Sequence, residues 1–171
     1  MSKNFEEEGI ETNRLFYAAF YHTVKFLGRV LLGMKVEGVE NVPSEGPALI
    51  ASKHSHWLDI FLLPTAVPDR HVSQLGRDTA LRTPILGWCF VKWGLIPLPR
   101  ETFGSEGKEA WREIDRRLAA DRLVSAFPEG TRIPGEIGKL KPGVARFVRR
   151  ANVKTIPARL SVERRPSPRH F

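Results

Sequence analysis

Two short stretches of this 171-residue sequence hold side chains that could do chemistry together. The first is His54-Ser55-His56-Trp57-Leu58-Asp59, a histidine and an aspartate with four residues between them. If the histidine leaves a strand and the aspartate lies in the next helical turn, the two side chains can meet. The carboxylate would then fix the imidazole tautomer and stabilise the imidazolium that forms on proton uptake. Such a pair brings no nucleophile of its own, so the attacking hydroxyl has to belong to a substrate. The second stretch is Phe127-Pro128-Glu129-Gly130-Thr131-Arg132. Gly130 lets backbone come close to a ligand, and open N–H groups with Arg132 can grip an anion, which a guanidinium can do bidentately. Lys139 and Lys141 follow nearby. Taken singly, each stretch has a plain alternative: a surface histidine with an unrelated helix aspartate, and a Pro-Gly turn with solvated charges. His56, a second imidazole two residues on, leaves open which ring is the base.

The elements around these stretches decide whether they can be positioned. Ala48–Ser52 is a short apolar run that suits a buried strand and delivers His54 at its carboxyl end. Trp57 to Leu63 reads as a helix stopped by Pro64. Val72–Leu75 reads as a strand, 84–93 as a short helix, and 94–98 as a strand. Residues 106–120 read as a helix with Ala110, Trp111, Ile114 and Leu118 as its buried stripe. Leu123–Phe127 is a further buried strand, and it delivers the second stretch at its carboxyl end. Residues 143–151 read as a helix with basic residues outward, and 155–158 as the start of a last strand. Strands alternating with helices predict an α/β fold with a largely parallel central sheet flanked by helices. In such sheets ligand sites gather at the carboxyl ends of strands.

Before this domain, residues 13–34 predict an amphipathic helix, with Asn13 as N-cap and Leu15, Phe16, Ala19, Phe20, Val24, Leu27, Val30 and Leu31 as its stripe. Arg14, Lys25 and Arg29 break up the apolar run, which is too short to span a bilayer. A basic helix of this kind can lie in a membrane interface or pack on its own domain. Residues 1–12 lack the basic-then-apolar pattern of a secretory signal, so a cytoplasmic location is expected.

Composition narrows the partner. The formal charge is +8, and residues 122–171 hold 12 Lys and Arg against 3 Asp and Glu, whereas residues 1–121 hold 15 against 16. An anionic partner follows. Nucleic acid fits poorly, because residues 129–171 offer only Phe147 and Phe171 as stacking aromatics. The single cysteine, Cys89, excludes an internal disulfide and a Cys-built zinc site, and its apolar surroundings read as those of an inert buried thiol. Five histidines without ligand spacing imply no metal.

In this order and separation the motifs resemble the glycerolipid acyltransferase family, most closely the 1-acylglycerol-3-phosphate acyltransferases. His54 and Asp59 match the family's H-x4-D block. Gly94-Leu-Ile-Pro-Leu-Pro-Arg100 is similar to its second block, Phe127–Arg132 is its F-P-E-G-T-R block intact, and Thr155-Ile156-Pro157-Ala158 looks like its proline-containing strand. The resemblance runs from about residue 35 to 158. It implies that His54 is the general base on the free sn-2 hydroxyl of a lysophosphatidic acid, oriented by Asp59. That oxygen would attack the thioester of acyl-CoA or acyl-carrier protein, a co-substrate in a reaction that needs no cofactor, and phosphatidic acid would form. By the family pattern Arg100, Glu129, Gly130, Thr131 and Arg132 hold the acceptor's phosphate and glycerol. Arg77 and Lys141 are weaker candidates for the same anion or the donor's phosphates. Backbone N–H groups at the start of the 57–63 helix are expected to face the oxyanion.

The implied setting is peripheral or monotopic, on the cytoplasmic face of a membrane with anionic lipid. The expected organisation is a membrane-associating helix over 1–34, an acyltransferase domain over 35–158, and an atypical basic tail over 159–171, short of the family's final portion. Lys53 and His56 stand where the family usually has Asn and Ser. Two alternatives stay open: an acyltransferase-like lipid-binding protein without turnover, and transfer to another lyso-lipid or to glycerol 3-phosphate.

Overall fold

The computed structural model describes residues 14–99 and 105–161. Asn13, Arg100 and most of the basic tail therefore lie outside the described residues. Ten regular elements follow one another: α1 (Arg14–Leu32), β1 (Ala48–Ser52), α2 (Asp59–Ala66), β2 (Val72–Arg77), α3 (Pro84–Trp93), β3 (Leu95–Leu98), α4 (Ser105–Ala119), β4 (Leu123–Ala126), α5 (Pro142–Ala151) and β5 (Lys154–Ala158). Short 3-10 turns occupy Val39–Asn41 and Asp78–Arg82.

The five strands form one sheet in the order β3-β2-β4-β1-β5, and every neighbouring pair is parallel. A parallel sheet is covered on both faces, so its strands are apolar throughout. Here alternate residues serve two separate layers. Ala48, Ile50, Val72, Leu123 and Ile156 pack with Leu63 and Val67 of the α2 region. Leu49, Ile96, Val124 and Ala126 pack with Ile114 and Leu118 of α4 and Phe147 of α5. The central strands β1 and β4 run in register, with Ala51 beside Ala126, so the segments after them emerge side by side. β2 flanks β4 on its other side, which brings its last residue, Arg77, to the same end.

Pro64 does not stop α2, contrary to the sequence expectation; the helix continues to Ala66. A proline inside a helix orphans the carbonyl four residues earlier. That carbonyl, of Ile60, accepts instead from the indole N–H of Trp93 at 3.3 Å. A partner from another element thus compensates the local defect.

α1 lies over α2 and α3. The Tyr21 hydroxyl donates to the Val67 carbonyl at 3.0 Å, and the absence of a side chain at Gly28 admits Leu62. The Tyr17 ring stacks between His71, at 4.0 Å, and Trp93, at 4.8 Å. Burial, followed by the Arg122 and Arg117 charges, pushes the His71 imidazole down to about 3 from an ordinary 6.5. The unfolded chain can protonate this ring when the folded chain cannot. The stability that depends on neutral His71 is therefore whole above about pH 6.5 and is lost progressively as pH falls toward 3. A His71→Phe variant, melted at a series of pH values, is expected to gain on the natural protein between neutral and acid conditions. A melting offset that does not change with pH would overturn this account.

Candidate active site

His54 leaves the end of β1, and its backbone is gripped on both sides by the loop after β4. Its N–H donates to Glu129 Oε2 at 2.9 Å, and its carbonyl accepts from the Ile133 N–H at 2.9 Å. The ring stacks on Phe127 with centroids 4.1 Å apart. Nδ1 lies 3.0 Å from Asp59 Oδ2, and the pair is largely shielded, with side chains 18% and 5% exposed. The same Asp59 oxygen accepts the N–H groups of Ser55, at 2.7 Å, and His56, at 2.8 Å. Burial would raise the Asp59 carboxyl, but the His54 hydrogen bond and these two backbone donors together hold it below its ordinary value. An ionised carboxylate only accepts, so Nδ1 carries a proton, and in the neutral ring Nε2 is left with the lone pair.

His56 has a different place. Its ring is part of an exposed turn, where Nδ1 accepts from the Leu58 N–H at 3.3 Å, and only its backbone meets Asp59. The choice between the two imidazoles falls on His54. The N–H groups of Ser55, His56, Leu58 and Asp59 are all used within this turn. Of the N–H groups at the start of the expected 57–63 helix, those of Leu58 and Asp59 are therefore already engaged.

Glu129 also has a different position from the expected acceptor contact. It is 3% exposed, and both its oxygens are taken, Oε2 by His54 N–H and Oε1 by Gly138 N–H at 2.8 Å. Burial would raise this carboxyl; the Gly138 and His54 donors, with the Lys53 and His54 charges, outweigh it and keep it below the ordinary range. Glu129 therefore braces the His54 backbone from within.

The anion-binding candidates gather one layer out. Gly130 sits at φ +65°, and a Cβ there would come within 2.7 Å of Lys141 Cε, so the lysine side chain lies across the glycine. Arg77 reaches the Gly130 carbonyl at 3.1 Å from the end of β2. Thr131 and Arg132 are exposed on the same turn. Arg77 and Lys141, distant in sequence, thus converge on Gly130, while Arg100 lies outside the described residues.

Lys53 is the residue whose role sequence reasoning missed. It is buried, and its ammonium donates to the Ile133 carbonyl and to Ser55 Oγ at 3.1 Å, tying the two motif loops together. Its one signal was a lysine where the family resemblance led to an asparagine. Cys89 is half-buried in α3. Among the described residues no three His, Cys, Asp or Glu side chains group as a metal site, and no helix is long and apolar enough to cross a membrane.

The protein-family model of the acyltransferases matches residues 33–161, which contain both motif loops and all five strands. The chain belongs to the acyltransferase family. It is 34% identical over 136 residues to the 1-acyl-sn-glycerol-3-phosphate acyltransferase of Pseudomonas aeruginosa, covering 77% of this chain and 51% of that protein. It is 32% identical over 130 residues to a chloroplast enzyme of the same name from Arabidopsis thaliana, covering 74% of this chain and 35% of that one. The chain thus spans about half or less of the length of these relatives. The crystal structure of the 1-acyl-sn-glycerophosphate acyltransferase PlsC from Thermotoga maritima shares the fold, with a TM-score of 0.61 at 20% identity, over 82% of this chain and 57% of that one.

For this acyltransferase domain the Glu129 brace makes a distinct prediction. In Glu129→Gln an amide NH2 must face one of the two buried N–H donors, at a cost of about 1–3 kcal/mol. Glu129 titrates below its ordinary value, so its stabilisation is present above that value and is lost as pH falls through the lowered one. Denaturant unfolding should show the full cost near neutral pH and little of it in acid. An equal cost at both would overturn the assignment of the charge to the brace.

Proposed function

We propose that this domain transfers an acyl group from a thioester donor, acyl-CoA or acyl-carrier protein, to the sn-2 hydroxyl of 1-acylglycerol-3-phosphate, giving phosphatidic acid. The observation that carries the reading is the His54–Asp59 pair at 3.0 Å, set beside a turn where Arg77 and Lys141 meet. The relatives' names supply the acceptor. The convergent cations supply a chemical reason for it, since a phosphate monoester needs more than one positive partner.

The steps balance without a metal or cofactor in the scheme. The acceptor's phosphate docks at Arg77, Lys141 and Arg132, and its free hydroxyl lies against His54 Nε2. Nε2 takes the hydroxyl proton as the oxygen bonds to the thioester carbonyl carbon. Asp59 stabilises the imidazolium through Nδ1. The tetrahedral adduct collapses, the C–S bond breaks, and the imidazolium returns its proton to the thiolate. The products are a new ester and a free thiol. Glu129 and Lys53 act as positioning residues, because they hold the His54 backbone and its loop and touch no reacting atom.

The domain is read as working at the cytoplasmic face of a membrane, peripherally, with α1 as its associating helix. The test is release of free thiol from acyl-CoA or acyl-carrier protein with lysophosphatidic acid, glycerol 3-phosphate and a lyso-ornithine lipid as parallel acceptors. Lysophosphatidic acid should be preferred. His54→Ala should lower turnover by roughly 10²–10⁴-fold with the fold intact. Lys141→Ala should act mainly on the acceptor's KM. Near-normal turnover in His54→Ala would defeat the mechanism, and no preference for a phosphorylated acceptor would defeat the substrate.

A further inference from the structure

α1 is docked by one side only. Tyr17, Tyr21 and Gly28 face the domain, while Leu15, Phe26, Val30 and Leu31, on the adjoining side, are each more than half exposed. α3 shows a second uncovered set, Ile85, Leu86 and Trp88, also each more than half exposed. The two sets are joined, because Phe16 of α1 meets Trp88 edge-on at 5.0 Å. An apolar surface that continues across two helices calls for a partner.

A row of aromatic rings leads from this surface to the site. From Trp88 it passes through Phe16, Phe20 (5.8 Å from Phe16), Phe61 (6.0 Å from Phe20) and Trp57 (6.3 Å from Phe61). Trp57 is more than half exposed and stands three residues from His54. The two helices carry charge of one sign. Residues 14–36 hold four basic and no acidic side chains, and residues 79–99 hold two basic and none acidic. A second copy of the chain would bring these like charges together. Residues 1–13 offer only Met1, Phe5 and Ile10 as large apolar side chains, too few to cover the face. Apolar side chains with tryptophan, on helices charged by cations alone, match the interface of an anionic bilayer.

We propose that α3 enters the headgroup region of an anionic membrane together with α1, and that the aromatic row extends this lipid contact to the mouth beside His54. A lipid acceptor could then keep its acyl chain in the bilayer while its headgroup reaches Arg77 and Lys141. The use of the mouth rests on the acyltransferase reading; the lipid contact itself is measured without turnover.

The test mixes the full chain with vesicles of phosphatidylglycerol and phosphatidylcholine whose acyl chains carry bromine, and reads tryptophan quenching. Trp88→Phe and Trp57→Phe should each remove part of the quenchable emission. Trp111→Phe should remove none, since Trp111 packs on Phe147 in the layer on the other face of the sheet. Ile85→Asp, at one of the most exposed apolar side chains, should keep the melting temperature and weaken vesicle binding about tenfold or more. Its turnover of a short-chain, water-soluble acceptor should be unchanged. Undiminished quenching in Trp88→Phe, or unchanged binding by Ile85→Asp, overturns the proposal. So does a natural protein that self-associates through this face and ignores vesicles. Quenching as described with no turnover on any acceptor would sink the proposed function and leave the membrane face standing.

Discussion

The site depends on one buried carboxylate. Glu129 stands 75 residues from His54, yet its two oxygens bond the His54 N–H and the Gly138 N–H. One group thereby fixes where His54 leaves the sheet and how the loop after β4 folds back beside it. A carboxylate with so little exposure is costly unless each oxygen is satisfied. Here both are, and the ammonium of Lys53 is close enough to lower its pKa further. Two backbone donors, from residues far apart in sequence, meet their acceptor only when β1 and β4 are neighbours. The sheet order is thus a precondition of the brace, and the brace a precondition of the ring's position.

Asp59 repeats this logic at shorter range. A single oxygen collects one imidazole and two backbone N–H groups. The backbone donors hold the same oxygen that the imidazole meets, so the histidine faces an acceptor fixed by more than its own bond. The same bonds engage the N–H groups of Ser55 and His56. The arrival of Arg77 from β2 shows how the fold delivers a cation from a third strand.

Much of this was legible in the sequence. Apolar runs marked β1 and β4, and alternation with helical periodicity marked a parallel α/β sheet. Position after a strand marked both motifs. What was not legible is what depends on contacts between distant elements. Pro64 looked like a stop because its lost hydrogen bond is local, whereas the indole that compensates sits on α3. Glu129 was expected to touch the acceptor by the family pattern, and nothing local shows that both oxygens are occupied. Lys53 stood out only as a departure from the family's usual Asn, since its acceptor on Ile133 is 80 residues away. Arg77 looked like a weak candidate for the same reason, as only the pairing of β2 with β4 brings it to Gly130, whereas Lys141 comes there because the loop after β4 folds back on itself, its N–H on the Pro128 carbonyl.

The basic end of the chain is also not one feature. Lys141 lies across Gly130 at the carboxyl end of the sheet. Arg150, nine residues on, reaches both oxygens of Asp115 on α4 and lies over Trp111 at 5.2 Å, so it belongs to the packing of α5. Arg146 and Arg149 are exposed on that same helix, in the layer across the sheet from α2. The uncovered apolar surface belongs to α1 and α3, beside α2. The guanidinium groups of α5 and the apolar surface therefore lie on opposite sides of the sheet. A bilayer meeting the apolar side would find the cations of α1 and α3 at its headgroups and leave the guanidinium groups of α5 facing water. The net charge of the last fifty residues accordingly describes two surfaces with different neighbours. Only the part nearest Gly130 bears on the proposed chemistry.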